Sequence, residues 1–293
     1  MSRLRGFRDG LLAALLRGLS LLLQPLGWRG AQRFGGGLGL LGWWLGRRDR
    51  RRTLEHLALA FPELSSRQCR RLGRASFRHH GTTLGECLFL LRRDCGAVTR
   101  VVAVDGWDHV ESVRRAGRSV LILTGHCGNW ELLAALINCR GLGMRVVARR
   151  LDAEGFQRLL LGLRERFGTE SIERGESGAA RSLLRTLRDG GALGILIDQD
   201  TRVDGVWVPF FGRPAYTPVA AAQLARRHGA GVIPAFIERR SDGRHLARFH
   251  PPIELPADPE AATAILTRVI EDQIRRVPEQ WVWMHRRWRR QPP

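Results

Sequence analysis

The stretch RSVLILTGHCGNWE, residues 118–131, decides the fold. It begins with a short apolar and β-branched run that is typical of a buried strand. Residues 132–138, which follow, are apolar enough for a helix, with Gly128 or Asn129 as its N-cap. His126 is therefore predicted to lie in the turn after a strand, where open α/β sheets bind their ligands.

The carboxylate of Glu131 follows this histidine by five residues and falls in the first turn of the predicted helix. From there it is expected to reach back and accept a hydrogen bond from the His126 imidazole. That bond would fix the tautomer and leave the other ring nitrogen free as a base. The alternative is that Glu131 only complements the helix dipole and that His126 is an ordinary loop residue.

Predicted strands and helices alternate along the rest of the chain. The expected strands cover 144–148, 171–173, 192–197 and 231–237, and the expected helices cover 154–167, 179–188, 218–228 and 261–276. This alternation predicts an α/β fold with a mostly parallel central sheet flanked by helices. The strand ends at His126, Arg149 and Asp198 are expected to meet at one edge of that sheet.

The N-terminal part has a different pattern. Residues 11–26 form an apolar segment with only three polar interruptions, shorter than the roughly 20 residues that a spanning helix needs. Residues 34–46 are glycine-rich and carry Trp43 and Trp44, just before an arginine cluster at 47–52, as suits a membrane interface. We therefore predict an N-terminal membrane-anchoring helical segment over 1–46 and one α/β domain over 47–293. The alternative is a helix buried in a soluble fold.

The chain is strongly basic. It has 48 basic residues, all arginine, against 28 acidic ones, for a formal net charge of +20. Such a surface attracts the phosphates of nucleic acid or anionic lipid, or an acidic carrier protein. The arginines are scattered and no zinc-finger spacing or RNA-binding aromatic pattern is present, so no nucleic acid partner is expected.

The five cysteines are odd in number and irregularly spaced, at positions 69, 87, 95, 127 and 139. Since none has a zinc-ligand or redox spacing, we expect no metal site and reduced thiols, as in the cytosol. Cys127 is adjacent to His126, which raises the possibility of a thiol nucleophile. A buried structural cysteine is the more common case and is the favoured interpretation.

Several sequence blocks carry a resemblance to a known family. The His-x-x-x-x-Glu pattern after a strand resembles the motif of the glycerolipid-type acyltransferases. Further blocks resemble the lipid A late acyltransferases within that superfamily: LALAFPEL at 57–64, IDQD at 197–200 with VPFFGRPAYTP at 208–218, VIPAF at 232–236 and PEQWVWMHRRW at 278–288. At the first of these blocks the chain departs from the family pattern, because His56 stands where asparagine is usual.

The resemblance implies an enzyme that moves a fatty acyl chain from an acyl carrier protein thioester to a hydroxyl of a lipid A precursor. His126 would be the general base, oriented by Glu131, at the cytoplasmic face of the inner membrane. No cofactor or metal is expected, because the thioester already activates the carbonyl. Backbone N–H groups near Gly128 and Asn129, or an arginine, would stabilise the oxyanion.

Substrate-binding residues follow from the same resemblance. Arg149, Arg164 and Arg174 fall where the lipid A acyltransferases carry arginines after the catalytic motif, and Arg164 is the preferred one. Two further candidates follow from the residues around them. Asp198 closes a buried strand, so it would tie down a loop or, as the second possibility, contact substrate. Arg213 follows Phe-Phe-Gly at 210–212 and would bind an acceptor phosphate, the alternative being a loop that packs its phenylalanines into the core.

The C-terminal block allows two interpretations. The run 285–287, His-Arg-Arg, together with Trp281, Trp283 and Trp288, would clamp an anionic lipid, or the tryptophans would instead cap the core.

Two other functions remain open at this point. One is an acyltransferase acting on another glycolipid or phospholipid, with coenzyme A as the acyl carrier. The other is a non-catalytic basic protein that binds membranes or nucleic acid, against which the intact pair of His126 and Glu131 counts.

Overall fold

The computed structural model describes the backbone of residues 2–292 and the side chains of residues 9–292. The first helices are α1 (Ser2–Leu22), α2 (Gly27–Leu45), α3 (Arg47–Ala60), α4 (Ser66–Leu90), α5 (Cys95–Val101) and α6 (Trp107–Arg115). They are followed by α7 (Trp130–Cys139), α8 (Glu154–Arg166), α9 (Ala179–Arg188), α10 (Ala220–His228) and α11 (Pro259–Arg276). All of the helices that the sequence pattern predicted are confirmed, with ends shifted by two residues or fewer.

The strands are β1 (Val102–Asp105), β2 (Val120–Thr124), β3 (Arg145–Ala148), β4 (Glu170–Glu173), β5 (Ala192–Leu196), β6 (Gly205–Phe210), β7 (Arg213–Pro218), β8 (Gly231–Arg239) and β9 (His245–Phe249). Seven of them form one sheet in the order β1-β9-β8-β2-β5-β3-β4. Only the β8–β9 pair in this sheet is antiparallel. The predicted mostly parallel sheet is confirmed, and β6 and β7 form a separate antiparallel hairpin that the pattern did not predict.

The two faces of the sheet bury different side chains of the same strand. On β2, Val120 and Ile122 belong to one hydrophobic cluster, which includes the apolar face of α7. Leu121 and Leu123 belong to a second cluster, which includes α10 and α11. This alternation follows from the two-residue period of a strand, and it places β2 in the centre of a sheet covered on both faces.

The N-terminal helices have exposed apolar side chains. Of the large hydrophobic residues that are exposed, most lie on α1, on α2 or between them: Leu11, Leu15, Leu21, Leu22, Leu26, Leu38, Leu41, Trp44 and Leu45. Among the described residues 2–292, no helix has both the length and the apolarity needed to cross a bilayer. The membrane anchor therefore stays a prediction.

Helix α2 also packs closely against α4 through glycines. A Cβ atom at Gly35 would overlap the carbonyl oxygen of Gly81, and one at Gly85 would overlap that of Ala31. Glycine is required wherever two backbones approach this closely. The boundary predicted between residues 46 and 47 stays a prediction, but α2 shares a packed interface with the rest of the chain.

The cysteine prediction was wrong for one pair. Cys95, at the start of α5, and Cys139, at the end of α7, form a disulfide across a Cα–Cα distance of 5.4 Å. The other three cysteines, Cys69, Cys87 and Cys127, are free and buried. Pairing of residues 44 positions apart depends on how α5 packs against α7, which spacing along the chain does not reveal.

Candidate active site

His126 and Asp198 meet at the carboxyl edge of the sheet. Strands β2 and β5 are parallel neighbours, with Thr124 opposite Leu196 in the register. Each of the two site residues follows its strand by two positions, so the sheet brings them together. The His126 Nδ1 atom lies 2.8 Å from Asp198 Oδ1, and the His126 backbone N–H donates to Asp198 Oδ2 at 2.8 Å. The predicted convergence of these two strand ends is confirmed.

The turn between β2 and α7 needs its glycines. Gly128 has a φ of +67°, which favours glycine, and a Cβ there would overlap the carbonyl oxygen of Ile237. A Cβ at Gly125 would lie 2.9 Å from Ile270 and 3.3 Å from Asp198 Oδ2. A side chain at either position would displace the turn that carries His126.

Asp198 is held as a carboxylate. Its side chain is fully buried, and it accepts a further hydrogen bond from Trp281 Nε1 at 2.7 Å. Burial alone would raise the pKa of Asp198, but its interactions with His126 and Trp281 outweigh burial and lower the pKa to about 2. An ionised carboxylate only accepts hydrogen bonds.

The charge of Asp198 therefore fixes the tautomer of His126. The Nδ1 atom must carry the proton that it donates to Asp198, which leaves a lone pair on Nε2. Among the described residues, Nε2 has no hydrogen-bond partner, and the imidazole side chain is 24% exposed. The Trp130 ring packs edge-on beside it, with ring centroids 5.1 Å apart. The arrangement presents a free imidazole nitrogen to a reactant.

The predicted contact between Glu131 and His126 was wrong. Glu131 is buried and forms a bidentate ion pair with Arg164, with Oε1 to Nη2 at 2.6 Å and Oε2 to Nε at 2.9 Å. Arg164 also donates to Ser171 Oγ at 3.1 Å. The first turn of α7 directs this carboxylate toward α8 and away from His126. The carboxylate that orients the imidazole is that of Asp198. The ion pair ties α7 to α8.

The other arginines predicted to bind substrate, Arg149, Arg174 and Arg213, form no hydrogen bond or ion pair with His126 or Asp198 within the described part of the chain. Arg149 is exposed and lies 3.2 Å from Asp152. Arg174 is half-buried, and burial followed by the charge of Arg149 lowers its pKa. Arg149 and Arg174 directly follow β3 and β4, which are parallel neighbours, and the Arg174 backbone N–H donates to the Ala148 carbonyl at 2.8 Å. Arg213 is exposed on β7.

The predicted oxyanion donor at Gly128 was also wrong. The Gly128 N–H donates to the Gln280 carbonyl at 2.9 Å, so it is already bonded. The Asn129 side chain caps α7 by accepting from the Leu132 N–H at 3.0 Å. The other predicted donors, a backbone N–H near Asn129 or an arginine, stay a prediction.

A buried network that the sequence analysis did not find supports this turn. The carboxylate of Glu86 is fully buried and accepts from Asn129 Nδ2 at 2.8 Å and from Arg239 Nε and Nη2, both at 2.8 Å. His245 Nε2 lies 3.0 Å from the same carboxylate. The ion pair with Arg239 and the bond from His245 hold the pKa of Glu86 well below its usual range, against its burial. The sequence signal for this network was Glu86 itself, a single acidic residue in the apolar C-terminal part of α4. A charge that is buried in such a segment needs hydrogen-bonding partners.

The C-terminal block packs into the core. Trp281, Trp283 and Arg287 are fully buried, and Arg287 donates to the Tyr216 carbonyl and to Thr217 Oγ1, both at 2.6 Å. Of the two interpretations, the one in which the tryptophans cap the core is confirmed for Trp281 and Trp283, and Arg287 cannot clamp a lipid. Arg286 is exposed.

Cys127 is unsuited to act as a nucleophile. Its thiol is 1% exposed, and burial followed by the charge of Asp198 raises its pKa, so the thiolate does not form near neutral pH.

We expect Cys127→Ser to keep most of the activity, with a loss of stability from the added polar group. Intact-mass measurement during turnover checks this, and an acyl thioester trapped on Cys127 would contradict it.

A histidine with one nitrogen bound to a buried carboxylate and the other free, at the carboxyl edge of a parallel sheet, is chemically able to accept a proton from a reactant. Residues 11–290 match the family of bacterial lipid A biosynthesis acyltransferases, and the chain belongs to this family. The resemblance seen in the sequence blocks is confirmed.

Curated relatives agree with the family. The lipid A biosynthesis lauroyltransferase of Escherichia coli (strain K12) is 28% identical over 89% of this chain and 85% of its own length. The phosphatidylinositol mannoside acyltransferase of Mycobacterium tuberculosis (strain CDC 1551 / Oshkosh) is 27% identical over 63% of this chain and 59% of its own length. The crystal structure of a 1-acyl-sn-glycerophosphate acyltransferase from Thermotoga maritima aligns with a TM-score of 0.41 and 14% identity, over 85% of this chain and 99% of the other.

Proposed function

We propose that this protein transfers a fatty acyl chain from an acyl carrier protein thioester to a hydroxyl of a lipid A precursor. The observation that carries the proposal is the 2.8 Å contact between His126 Nδ1 and the buried Asp198 carboxylate, with Nε2 left free. An alcohol is a poor nucleophile at neutral pH and needs such a base as it attacks.

Each step uses the same nitrogen. His126 Nε2 takes the hydroxyl proton while the acceptor oxygen bonds to the thioester carbonyl carbon. The tetrahedral intermediate collapses, the C–S bond breaks, and the imidazolium returns the proton to the departing sulfur. Asp198 stabilises the imidazolium by charge and holds its plane. Glu131 contributes indirectly, because its ion pair with Arg164 fixes α8 against the helix that follows the turn.

The acceptor is inferred from the family and from nearby charge. A lipid A precursor carries phosphates, and Arg149 and Arg174, which directly follow the neighbouring strands β3 and β4, are suited to bind one. Arg164 is already paired with Glu131, so Arg149 and Arg174 are the better candidates. A second candidate acceptor is another glycolipid, since relatives are named for phosphatidylinositol mannoside, with coenzyme A as the alternative acyl carrier.

The exposed apolar side chains of α1 and α2 support attachment to a membrane. Leu41, Trp44 and Leu45 are 51%, 63% and 72% exposed and lie beside the arginines at the start of α3. A helix pair with an apolar face and a basic flank suits the membrane–water interface. We propose that the enzyme lies on the cytoplasmic face of the inner membrane, with α1 and α2 in the headgroup region.

A reconstituted assay tests the function. Purified protein is incubated with acyl carrier protein or coenzyme A thioesters and with a lipid A precursor or a phosphatidylinositol mannoside, and products are identified by mass spectrometry. Addition of one acyl chain to the lipid A precursor from the carrier protein supports the proposal. Transfer only to the phosphatidylinositol mannoside would show that the proposed acceptor is wrong. Transfer only from the coenzyme A thioester would show that the proposed donor is wrong.

The triple variant L41S/W44S/L45S is expected to lose most binding to phospholipid vesicles, because it removes exposed apolar surface without touching the core. Fully burying a large apolar side chain is worth roughly 1.5–3 kcal/mol. Because these three are only 51–72% exposed before binding, we expect their combined loss to weaken binding by at least about 100-fold. Sedimentation with vesicles measures this. The matched control L161S/I265S changes exposed apolar residues on other helices, at 38% and 39% exposure, and should bind like the wild type. Equal loss in both variants would argue against the interface.

Rising salt is expected to increase the KM for the carrier-bound donor and leave kcat nearly unchanged. Exposed charges steer encounter more than they change chemistry, and the screening length falls from about 10 Å at 0.1 M to about 3 Å at 1 M salt. A coenzyme A donor, if used, should show a weaker dependence because it carries fewer charges. Steady-state kinetics in fixed detergent check this, and a salt-independent KM would remove the acidic carrier from the proposal.

A further inference from the structure

One cavity at the surface is lined almost entirely by arginines. It has a volume of about 340 Å³ and lies between α3 and the C-terminal loop. Its lining residues are Arg48, Arg51, Arg52, Glu55 and Arg286. The volume is at the small end of the roughly 300–1,000 Å³ range of ligand pockets, a size that suits a headgroup better than a large ligand.

The charges of this cavity are only partly compensated. Arg51 pairs with Glu55 at 2.7 Å, and Arg52 lies 3.3 Å from Asp49. Arg48 and Arg286 form no ion pair with any residue in the described range 9–292. Four guanidinium groups therefore face one lining carboxylate, an excess of positive charge that suits an anion.

The two walls of the cavity are fixed to each other. Arg52 Nη1 donates to the Met284 carbonyl at 3.0 Å, and His56 Nδ1 lies 2.9 Å from the Trp283 carbonyl. These contacts hold α3 against the loop that carries Arg286. Arg48 and Arg286 are therefore carried by two segments whose relative position is fixed, and guanidinium groups can bind phosphate oxygens in pairs.

The side chains beside the cavity indicate what kind of molecule carries the phosphate. Leu45, which is 72% exposed, precedes Arg48 by three residues, so the two Cα atoms are at most about 11 Å apart. Trp44 beside it is 63% exposed. Apolar side chains beside a basic cavity match a lipid, whose phosphate would enter the cavity while its chains cover the leucine and tryptophan. An acidic protein surface would leave those apolar groups unexplained.

We propose that this cavity, whose lining includes neither His126 nor Asp198, binds the phosphate headgroup of an anionic membrane phospholipid. The proposal rests on the membrane association proposed above. Arg48 and Arg286 supply the charge, and Leu41, Trp44 and Leu45 supply the apolar contact.

The test uses the full chain and the double variant R48E/R286E. Vesicles of phosphatidylcholine, with and without phosphatidylglycerol, measure the preference for anionic lipid, and thermal unfolding checks the fold. We expect the variant to lose this preference by at least roughly 10- to 30-fold, because it loses two arginines and its two glutamates repel the anionic surface, and to keep the wild-type affinity for pure phosphatidylcholine. The matched control R226E/R227E makes the same charge change at exposed arginines of α10 and should lose far less. Equal losses in the two variants would overturn the proposal in favour of net charge.

Two further measurements distinguish a lipid headgroup from a free phosphate and from an acidic carrier protein. If the wild type binds inorganic phosphate through Arg48 and Arg286 but shows no preference for phosphatidylglycerol, the lipid is overturned in favour of a free phosphate. If R48E/R286E keeps its lipid preference and instead raises the KM for the carrier-bound donor, the cavity docks the acidic carrier and the proposal is overturned. A protein that prefers anionic vesicles through these arginines but transfers no acyl chain would support the cavity and contradict only the proposed reaction.

Discussion

His126→Ala is expected to lower turnover by roughly 10²–10⁴-fold, the usual contribution of a positioned general base. The variant removes the imidazole whose Nδ1 is bonded to the buried Asp198 carboxylate and whose Nε2 is the proposed base. The KM values should change much less, because the imidazole is small and makes its main protein contact with Asp198. Steady-state assay of acyl transfer to the lipid acceptor measures the effect.

The folded state of this variant should survive. The imidazole is 24% exposed, and Asp198 keeps two hydrogen bonds, from the His126 backbone N–H and from Trp281 Nε1. Circular dichroism and vesicle binding should match the wild type. Near-normal turnover by a folded variant would remove His126 as the base.

Asp198→Asn is expected to have an effect of similar size. An asparagine amide in place of the carboxylate removes the charge that stabilises the imidazolium. It also allows an N–H to face Nδ1, which moves the ring proton to Nε2 and blocks the base. The equivalent change in a Ser-His-Asp triad costs about 10⁴-fold. The comparison of kcat for wild type and variant, with the pH profile of each, measures this.

Glu131→Gln is the matched control, since it makes the same chemical change at the other candidate carboxylate. It weakens the bidentate pair with Arg164 and should lower the free energy of unfolding, while the pH profile of kcat stays as in the wild type. A shifted profile for Glu131→Gln together with a normal one for Asp198→Asn would restore Glu131 as the orienting group.

The pKa of Asp198, about 2, determines how this residue affects stability as the pH changes. Its folded-state pKa is below the usual value of 3.8, so the stability that it contributes is present above pH 3.8 and is lost as the pH falls toward 2. Its carboxylate therefore stays ionised across the whole neutral range. Loss of activity in mild acid should not come from Asp198.

Local pattern was enough for the elements around the site. The apolar run ending at Thr124, the glycines of the turn and the cap at Asn129 predicted β2, the loop and α7, because these signals act over a few residues. The alternation of strands and helices in the same way predicted a parallel sheet. The hairpin of β6 and β7 was missed, since its proline-containing strands lack a clear two-residue period.

The partner of His126 was outside the reach of local pattern. Glu131 is five residues away and looked like the orienting carboxylate, whereas Asp198 lies 72 residues along the chain. The place of Asp198 follows from β5 being the parallel neighbour of β2, with Thr124 opposite Leu196.

The same division holds elsewhere in the molecule. Sequence by itself determined the family, the α/β class, the catalytic histidine candidate and the basic surface, because motif, period and charge are properties of adjacent residues. Only the tertiary structure decided that Glu131 binds Arg164, that Arg287 is buried and that Cys95 pairs with Cys139. The physical reason is that a side chain's partner depends on strand order and helix packing, which bring together residues that no local interaction connects.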